Sequence, residues 1–117
     1  MKFRWFSVVG ALYAVLAAAA FAQTSTFVTY KYTQIDYPGA ASTVANGINN
    51  GNVIVGTYVD SAGLLHGFRY ANGAFTAVNF PNSAQTTALG INDNGDIVGW
   101  YTLSNGNQYS SAWLCPS

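Results

Sequence analysis

Residues 47–58 read Gly-Ile-Asn-Asn-Gly-Asn-Val-Ile-Val-Gly-Thr-Tyr, and residues 90–101 repeat this pattern as Gly-Ile-Asn-Asp-Asn-Gly-Asp-Ile-Val-Gly-Trp-Tyr. In each stretch an Asn-Gly pair separates a segment that ends in Ile-Asn from a segment that contains Ile-Val. Asn-Gly between apolar segments is a strong signal for a β-hairpin, because both residues tolerate a positive φ. Each stretch therefore predicts two antiparallel strands joined by a tight turn.

The similarity extends beyond these stretches at an offset of 43 residues. Residues 32–58 align with residues 75–101 without a gap, and 12 of the 27 positions are identical. Self-similarity at a fixed spacing indicates a repeat architecture. We predict a β-repeat domain over 23–117, with a first repeat at about 27–73 and a second at about 74–115.

Each repeat is predicted to contain four short strands that are rich in aromatic and β-branched residues. The predicted strands are 27–36, 44–48, 53–59 and 65–70 in the first repeat, and 75–80, 87–91, 97–103 and 109–114 in the second. Pro38 and Pro81 end the first strand of each repeat, because proline cannot donate to a strand ladder. Further Asn-Gly pairs at 72–73 and 105–106 predict two more hairpins.

The segment Val53–Val59 is apolar at nearly every position, which indicates that both of its faces are covered. Four antiparallel strands in about 43 residues, covered on both faces, are typical of a propeller blade. The predicted fold class is all-β, with two four-stranded antiparallel propeller-like blades. Because propellers usually close with about 4–8 blades, three alternatives stay open: a piece of a longer protein, a ring of several chains, or a small β-sandwich.

The stretch 47–58, together with Asp60, Gly63 and the His-Gly-Phe sequence at 66–68, resembles the HAF family of extracellular repeats. That family is named for a His-Ala-Phe motif, and the resemblance covers about residues 32–114. It implies an extracellular location and a propeller-like fold, and it implies no particular activity.

Two departures from the family motif bear on the role of its histidine. The first repeat has Gly67 where the motif has alanine. The second repeat has Ser-Ser-Ala-Trp at 110–113 in place of the His-x-Phe segment, so we expect His66 to have no counterpart there. A histidine that is absent from one repeat is more consistent with a structural role than with catalysis.

The N-terminus has the features of a secretion signal. Lys2 and Arg4 precede an apolar run from Trp5 to Ala20, which closes with Ala-Phe-Ala at 20–22. This pattern predicts a cleaved signal peptide at 1–22 and a secreted or periplasmic protein. The alternative is an uncleaved membrane anchor, although the run is shorter than the about 20 apolar residues that span a bilayer. We expect no stable membrane span after cleavage.

Charge and cysteine content narrow the range of partners. After cleavage, Lys31 and Arg69 oppose four aspartates, which gives a net charge of −2. Two separated cations cannot neutralise a phosphate backbone, so we expect no nucleic-acid partner. Cys115 is the only cysteine, and it is either a free thiol or paired with another molecule.

Few residues could carry chemistry. His66 is the only histidine, and Asp60 is predicted to lie across a hairpin from it. A hydrogen-bonded structural histidine is the favoured interpretation, ahead of ligand binding and catalysis. Residues 92–96 resemble a short calcium loop, but they lack the bidentate Glu of such loops, and the chain contains no Glu. We predict no catalytic residue, no metal site and no cofactor.

Aromatic residues make up 15% of the chain, and they either stack on a sugar or fill the space between blades. The residues predicted to contact a ligand are Tyr58, His66, Trp100 and Tyr101. The predicted function is a non-enzymatic binding or scaffolding module that takes a carbohydrate or cell-surface ligand and self-associates to complete a propeller. The alternative is a remnant of a larger propeller-type secreted enzyme, against which stands the lack of a clustered catalytic set.

Overall fold

The computed structural model describes residues 24–113. The predicted signal peptide at 1–22 and Cys115 lie outside these residues. The chain divides into two units, with the boundary between Tyr32 and Thr33. Of the first unit, residues 24–32 are exposed and have no regular secondary structure.

The second unit contains seven strands and, within its described residues, no helix. The strands are β1 (Ser42–Ile48), β2 (Ile54–Val59), β3 (Leu65–Ala71), β4 (Ala74–Val78), β5 (Ser83–Ile91), β6 (Ile97–Leu103) and β7 (Gln108–Trp113). They form two antiparallel sheets, with the orders β1-β2-β3-β4 and β5-β6-β7. The all-β prediction is confirmed. The second sheet has three strands in the described part of the chain, where the sequence predicted four.

Within residues 24–113, the second sheet has only three strands because β4, which was predicted to belong to it, pairs with the first sheet instead. Residues 27–36, predicted as the first strand, form no strand in the structure. The first sheet instead takes its fourth strand from the start of the second repeat, because β4 pairs with β3. A strand needs a neighbour for its backbone N–H and C=O groups, and the tight turn at 72–73 places β4 beside β3. Each sheet boundary therefore lies one strand away from the sequence repeat boundary.

Residues with a positive φ lie in the turns that join the strands. Between β3 and β4, Asn72 has φ 51° and Gly73 has φ 79°, as expected for a two-residue hairpin. Between β1 and β2 the hairpin also forms, but the positive φ of 58° belongs to Asn52 and not to Gly51. The turn is longer than the Asn-Gly pair indicated, because Asn52 N–H donates to the Asn49 carbonyl at 3.1 Å.

The second sheet packs on the first through β5, which lies against β2 and β3. Val55, Ala88 and Ile97 form the buried centre of this contact. Adjacent residues of a strand point to opposite faces, so Val55 faces the second sheet and Gly56 faces away from it. Both are buried, in agreement with the apolar pattern of this strand.

Because residue 56 is glycine, the Val44 carbonyl and the Phe68 ring approach the backbone of β2 closely. They do so on the face opposite the contact with the second sheet. A Cβ atom there would lie 2.0 Å from the Val44 carbonyl oxygen and 2.7 Å from the Phe68 ring. The equivalent Gly99 is equally restricted, because its Cβ would lie 1.9 Å from the Thr87 carbonyl oxygen. Only glycine fits such positions.

Candidate functional site

Asp60 organises the turn between β2 and β3. Its Oδ1 accepts hydrogen bonds from the backbone N–H groups of Ala62 at 2.9 Å and Leu64 at 3.0 Å. Its Oδ2 lies 2.7 Å from Nε2 of His66 on β3. The hydrogen bond from Leu64, followed by that from His66, holds the pKa of the Asp60 carboxyl below its ordinary value of 3.8. The carboxylate is therefore ionised at neutral pH and fixes one ring nitrogen of His66.

The second ring nitrogen of His66 is also engaged. Nδ1 lies 3.4 Å from Oδ1 of Asn79. Proton transfer and metal binding both need a ring nitrogen that can reach a substrate or an ion. With Asp60 on one side and Asn79 on the other, the His66 ring is held as part of the sheet surface.

The rings of two tyrosines, Tyr37 and Tyr58, form a stack with the ring of His66. Tyr37 stacks on Tyr58 with a centroid distance of 3.7 Å and an interplanar angle of 4°. Tyr58 in turn stacks on His66 at 5.1 Å. Burial, a hydrogen bond with Tyr37 and the negative charge of Asp60 raise the pKa of Tyr58 to about 12. The phenol of Tyr58 is therefore neutral throughout the physiological range.

The second sheet carries a matching stack at positions offset by 43. Phe80 stacks on Tyr101 at 3.6 Å and 4°, and Tyr101 on Tyr109 at 5.5 Å. Tyr109 is opposite Tyr101 on β7, as His66 is opposite Tyr58 on β3. Tyr109 thus occupies the position that corresponds to His66, and the second repeat has a tyrosine there in place of the histidine. Extending the 43-residue alignment past position 58 would have found this pair.

The structure separates the four predicted ligand residues. Tyr58 and His66 lie together on the first sheet, and Tyr101 belongs to the stack of the second sheet. Trp100 precedes Tyr101 on β6, so its side chain points to the opposite face. The four residues do not form a single site.

Sequence reasoning missed an apolar surface feature on the first sheet. An open depression of about 290 Å³ lies along β1; we call it the β1 depression, and its lining residues are Ala45, Asn46, Gly47, Ile48 and Ile54. Ala45 and Ile54 lie on the face that points away from the second sheet, because Ala45 pairs with Gly56 and Ile54 is two positions from Gly56. Ile48 is 61% exposed there. The signal in the sequence was available, because these positions precede Ala88–Ile91 and Ile97 by 43 residues.

Through this 43-residue offset, residues that line the β1 depression correspond to residues in the contact between the two sheets. Its counterparts Ala88 and Ile97 pack against Val55 in the contact between the sheets. The counterpart of Val55 itself is Val98 on β6. Val55 is fully buried, whereas Val98 is 50% exposed. Each side of the internal contact thus has an uncovered equivalent elsewhere on the same chain.

The region that resembled a calcium loop joins the two sheets. Asp93 accepts hydrogen bonds from the backbone N–H of Asn50 at 2.9 Å and from its side-chain amide at 2.7 Å. Over residues 24–113, the structure contains no group of three or more His, Cys, Asp or Glu residues placed to hold a metal ion. The same residues include no helix long and apolar enough to cross a membrane.

Comparison with known proteins gives no relative for this chain. No family model matches it. Neither a curated protein nor a solved structure was found to be similar.

Proposed function

We propose that this protein is an exported, non-enzymatic scaffolding module whose copies associate head to tail. The observation that carries the proposal is that one chain has two uncovered surfaces equivalent to the two sides of its own internal contact. The first surface is the β1 depression, and the second is the outer face of β6 around Val98. A second copy is the partner whose shape matches both.

The internal contact is the template for the contact between copies. Val55 packs on Ala88 and Ile97 at its centre. A polar link accompanies it, because the Asn46 side-chain amide donates to the Ala88 carbonyl at 2.7 Å. The contact combines an apolar centre with hydrogen bonds at its edge, which is the usual anatomy of a stable protein interface.

Applying the same relation to a second copy places Val98 of one chain in the β1 depression of the next. Val98 would contact Ala45 and Ile54, as Val55 contacts Ala88 and Ile97. Covering exposed apolar surface is favourable by roughly 25 cal/mol per Å². The two surfaces differ from each other, so the contact is heterologous and leads to a ring if it closes and to a filament if it does not.

One substitution distinguishes the outer face from its internal equivalent. Trp100 occupies the position that corresponds to Thr57, which is buried between the sheets. Trp100 stands beside Val98 on the outer face, two positions along β6. Aromatic residues are enriched at protein interfaces, so the change supports a docking role for this face and requires the second copy to accommodate the larger ring.

The geometry of His66 supports a non-enzymatic role. Both of its ring nitrogens face a hydrogen-bonding partner, Asp60 in the turn before β3 and Asn79 just after β4, and its ring stacks on Tyr58. A carbohydrate or cell-surface ligand stays a prediction, because the aromatic residues expected to bind it lie on separate surfaces.

The test is the mass of the purified protein in solution, measured by light scattering over a range of concentrations. We expect the wild-type protein to form oligomers, and Val98→Lys to reduce them because a charge would enter the apolar depression. Leu64→Lys is the matched control, since Leu64 is, like Val98, an exposed aliphatic residue, at 41%, and lies outside both surfaces. Oligomers should persist in this control.

A mixing experiment establishes the direction of the contact. Val98→Lys removes one surface and Ala45→Lys removes the other, so each variant alone should be monomeric. Their mixture should form a 1:1 dimer and nothing larger, because only one intact pair of surfaces remains. A wild-type protein that is monomeric at every concentration would refute the proposal, as would oligomers that Val98→Lys leaves intact.

A further inference from the structure

The second sheet ends in a strand with a free edge. β7 pairs with β6 on one side, and the described residues provide no strand for its other side. In the first sheet the equivalent strand β3 is covered by β4. An edge strand presents unpaired N–H and C=O groups that can pair with a further strand.

The origin of β4 indicates what could cover β7. β4 is the segment that immediately precedes β5, the first strand of the second sheet, and it reaches back to pair with the first sheet. The first sheet is thus completed by the chain segment that leads into the second sheet. The segment that leads into β1 in the same way is residues 31–35.

Residues 31–35 match β4 in sequence. They read Lys-Tyr-Thr-Gln-Ile, against Ala-Phe-Thr-Ala-Val in β4. The central Thr is identical, the aromatic residue before it is kept, and a β-branched residue ends both segments. All three types favour strands. In the structure, however, these residues form no strand, so their capacity to pair is unused.

We propose that residues 31–35 of a second copy add to β7 as the fourth strand of the second sheet. This inference rests on the proposed head-to-tail association, which places the start of the second copy's β1 beside the second sheet. In the internal contact the same arrangement places β4 beside β3. One geometric relation between copies thus fills the β1 depression and covers the β7 edge.

The register of the added strand follows from the internal pairing. In the first sheet Gly67 is opposite Val78, Phe68 is opposite Ala77 and Arg69 is opposite Thr76. The 43-residue offset converts these pairs to Ser110 with Ile35, Ser111 with Gln34 and Ala112 with Thr33, where the second residue belongs to the other copy. A one-residue slip would turn every side chain of the added strand to the other face.

Disulfide trapping between two differently labelled chains tests this register. All chains carry Cys115→Ser, so that only the introduced cysteines react. One chain carries Ser111→Cys and the other Gln34→Cys; a second pair combines Ala112→Cys with Thr33→Cys. Two pairs are needed because facing residues in an antiparallel ladder alternate between closer and wider spacing, and disulfides need Cα atoms about 4.4–6.8 Å apart.

We expect oxidation to give a crosslinked dimer as the main product for at least one of these pairs, with the linked peptides identified by mass spectrometry. The mismatched control combines Ser111→Cys with Thr33→Cys, whose side chains would point to opposite faces, and it should give only background crosslinking. Light scattering on the same reduced samples shows separately whether the chains associate.

The outcomes separate this inference from the proposed function. Chains that associate but give no crosslink above the mismatched control would overturn strand addition and leave the stacking proposal standing. A single chain that carries both Ser111→Cys and Gln34→Cys offers a further check. If it forms a disulfide within itself as a monomer, the strand comes from the same chain, and the inference between copies is wrong.

Discussion

The carboxylate of Asp93 accepts two hydrogen bonds from Asn50, one from the backbone N–H and one from the side-chain amide. These residues are 43 positions apart and occupy equivalent turns of the two repeats. The pair therefore ties the turn of one sheet to the turn of the next, at the edge of the apolar contact that Val55 makes with Ala88.

Removing this link should weaken the contact between the sheets. We expect Asp93→Ala to lower the free energy of unfolding by about 1 kcal/mol, the usual size of such hydrogen bonds. Urea denaturation measures the change. A double-mutant cycle with Asn50→Ala should show that the two substitutions are not additive. Full additivity would mean that the two side chains do not interact.

Calcium should not stabilise the protein. The Asp93 carboxylate is occupied by Asn50, and Asp96 accepts a hydrogen bond from Asn92 at 2.9 Å. Calcium needs six to eight oxygen ligands, which this turn does not provide. Added calcium should leave the Tm unchanged, with magnesium as the control. A rise in Tm with calcium alone, lost in Asp93→Ala, would contradict this prediction.

Gly56→Ala should be strongly destabilising. The new Cβ would overlap the Val44 carbonyl oxygen and the Phe68 ring, and forcing extra atoms into a packed core typically costs about 1–3 kcal/mol. Gly90→Ala is the matched control, because its Cβ would meet only the Val98 side chain at 3.3 Å, and that side chain is half exposed. Thermal unfolding should rank Gly56→Ala well below Gly90→Ala; equal Tm values would show that the close approach does not exist.

Asp60 should make stability depend on acid pH. Its pKa in the folded protein is below the ordinary 3.8, so its contribution is present above about pH 4 and is lost as the pH falls through the folded pKa. Asp60→Asn should unfold with a weaker dependence on pH below 4, measured by urea denaturation at several pH values. His66→Gln should keep most of that dependence, because the largest cause of the shift is the Leu64 hydrogen bond. If His66→Gln removes it entirely, the attribution to Leu64 is wrong.

Tyr58 should make stability depend on alkaline pH. Its pKa rises from an ordinary 10.0 to about 12 on folding, so its contribution is present below pH 10 and is lost as the pH increases toward 12. Ultraviolet titration of tyrosinate should show one fewer group ionising near pH 12 in Tyr58→Phe. The variant should also lose less stability than the wild type between pH 10 and 12. A wild-type titration without this late group would contradict the buried stack.

The sequence predicted the all-β class and most strands because these depend on local signals. Asn72 and Gly73 provide positive φ where the turn requires it, and the apolar pattern around Val55 correctly indicated covered faces. The assignment of β4 to the first sheet could not be predicted in this way. A strand's own residues do not say which neighbour it pairs with, and the repeat offset is the same for either choice.

The surfaces of the candidate site were harder to predict for a related reason. Val98 and Val55 are identical in type and occupy equivalent positions, so the sequence gives them the same character. Only the packing of one sheet on the other distinguishes them, by covering Val55 and leaving Val98 exposed. Likewise, the contact of His66 with Asp60 could be expected from a hairpin, whereas its second contact with Asn79, which directly follows β4, depends on the pairing of β4 with β3.

The shifted boundary between sequence repeat and sheet has a consequence for how such a protein can vary in length. The second unit of 43 residues begins with β4, the segment that completes the first sheet, and the proposed strand addition gives residues 31–35 the same part in the first unit. Inserting or deleting a whole unit within an array would therefore leave the count of open sheet edges the same and would create no new kind of contact. Unequal recombination between such units could change the length of the array in a single step without requiring compensating mutations.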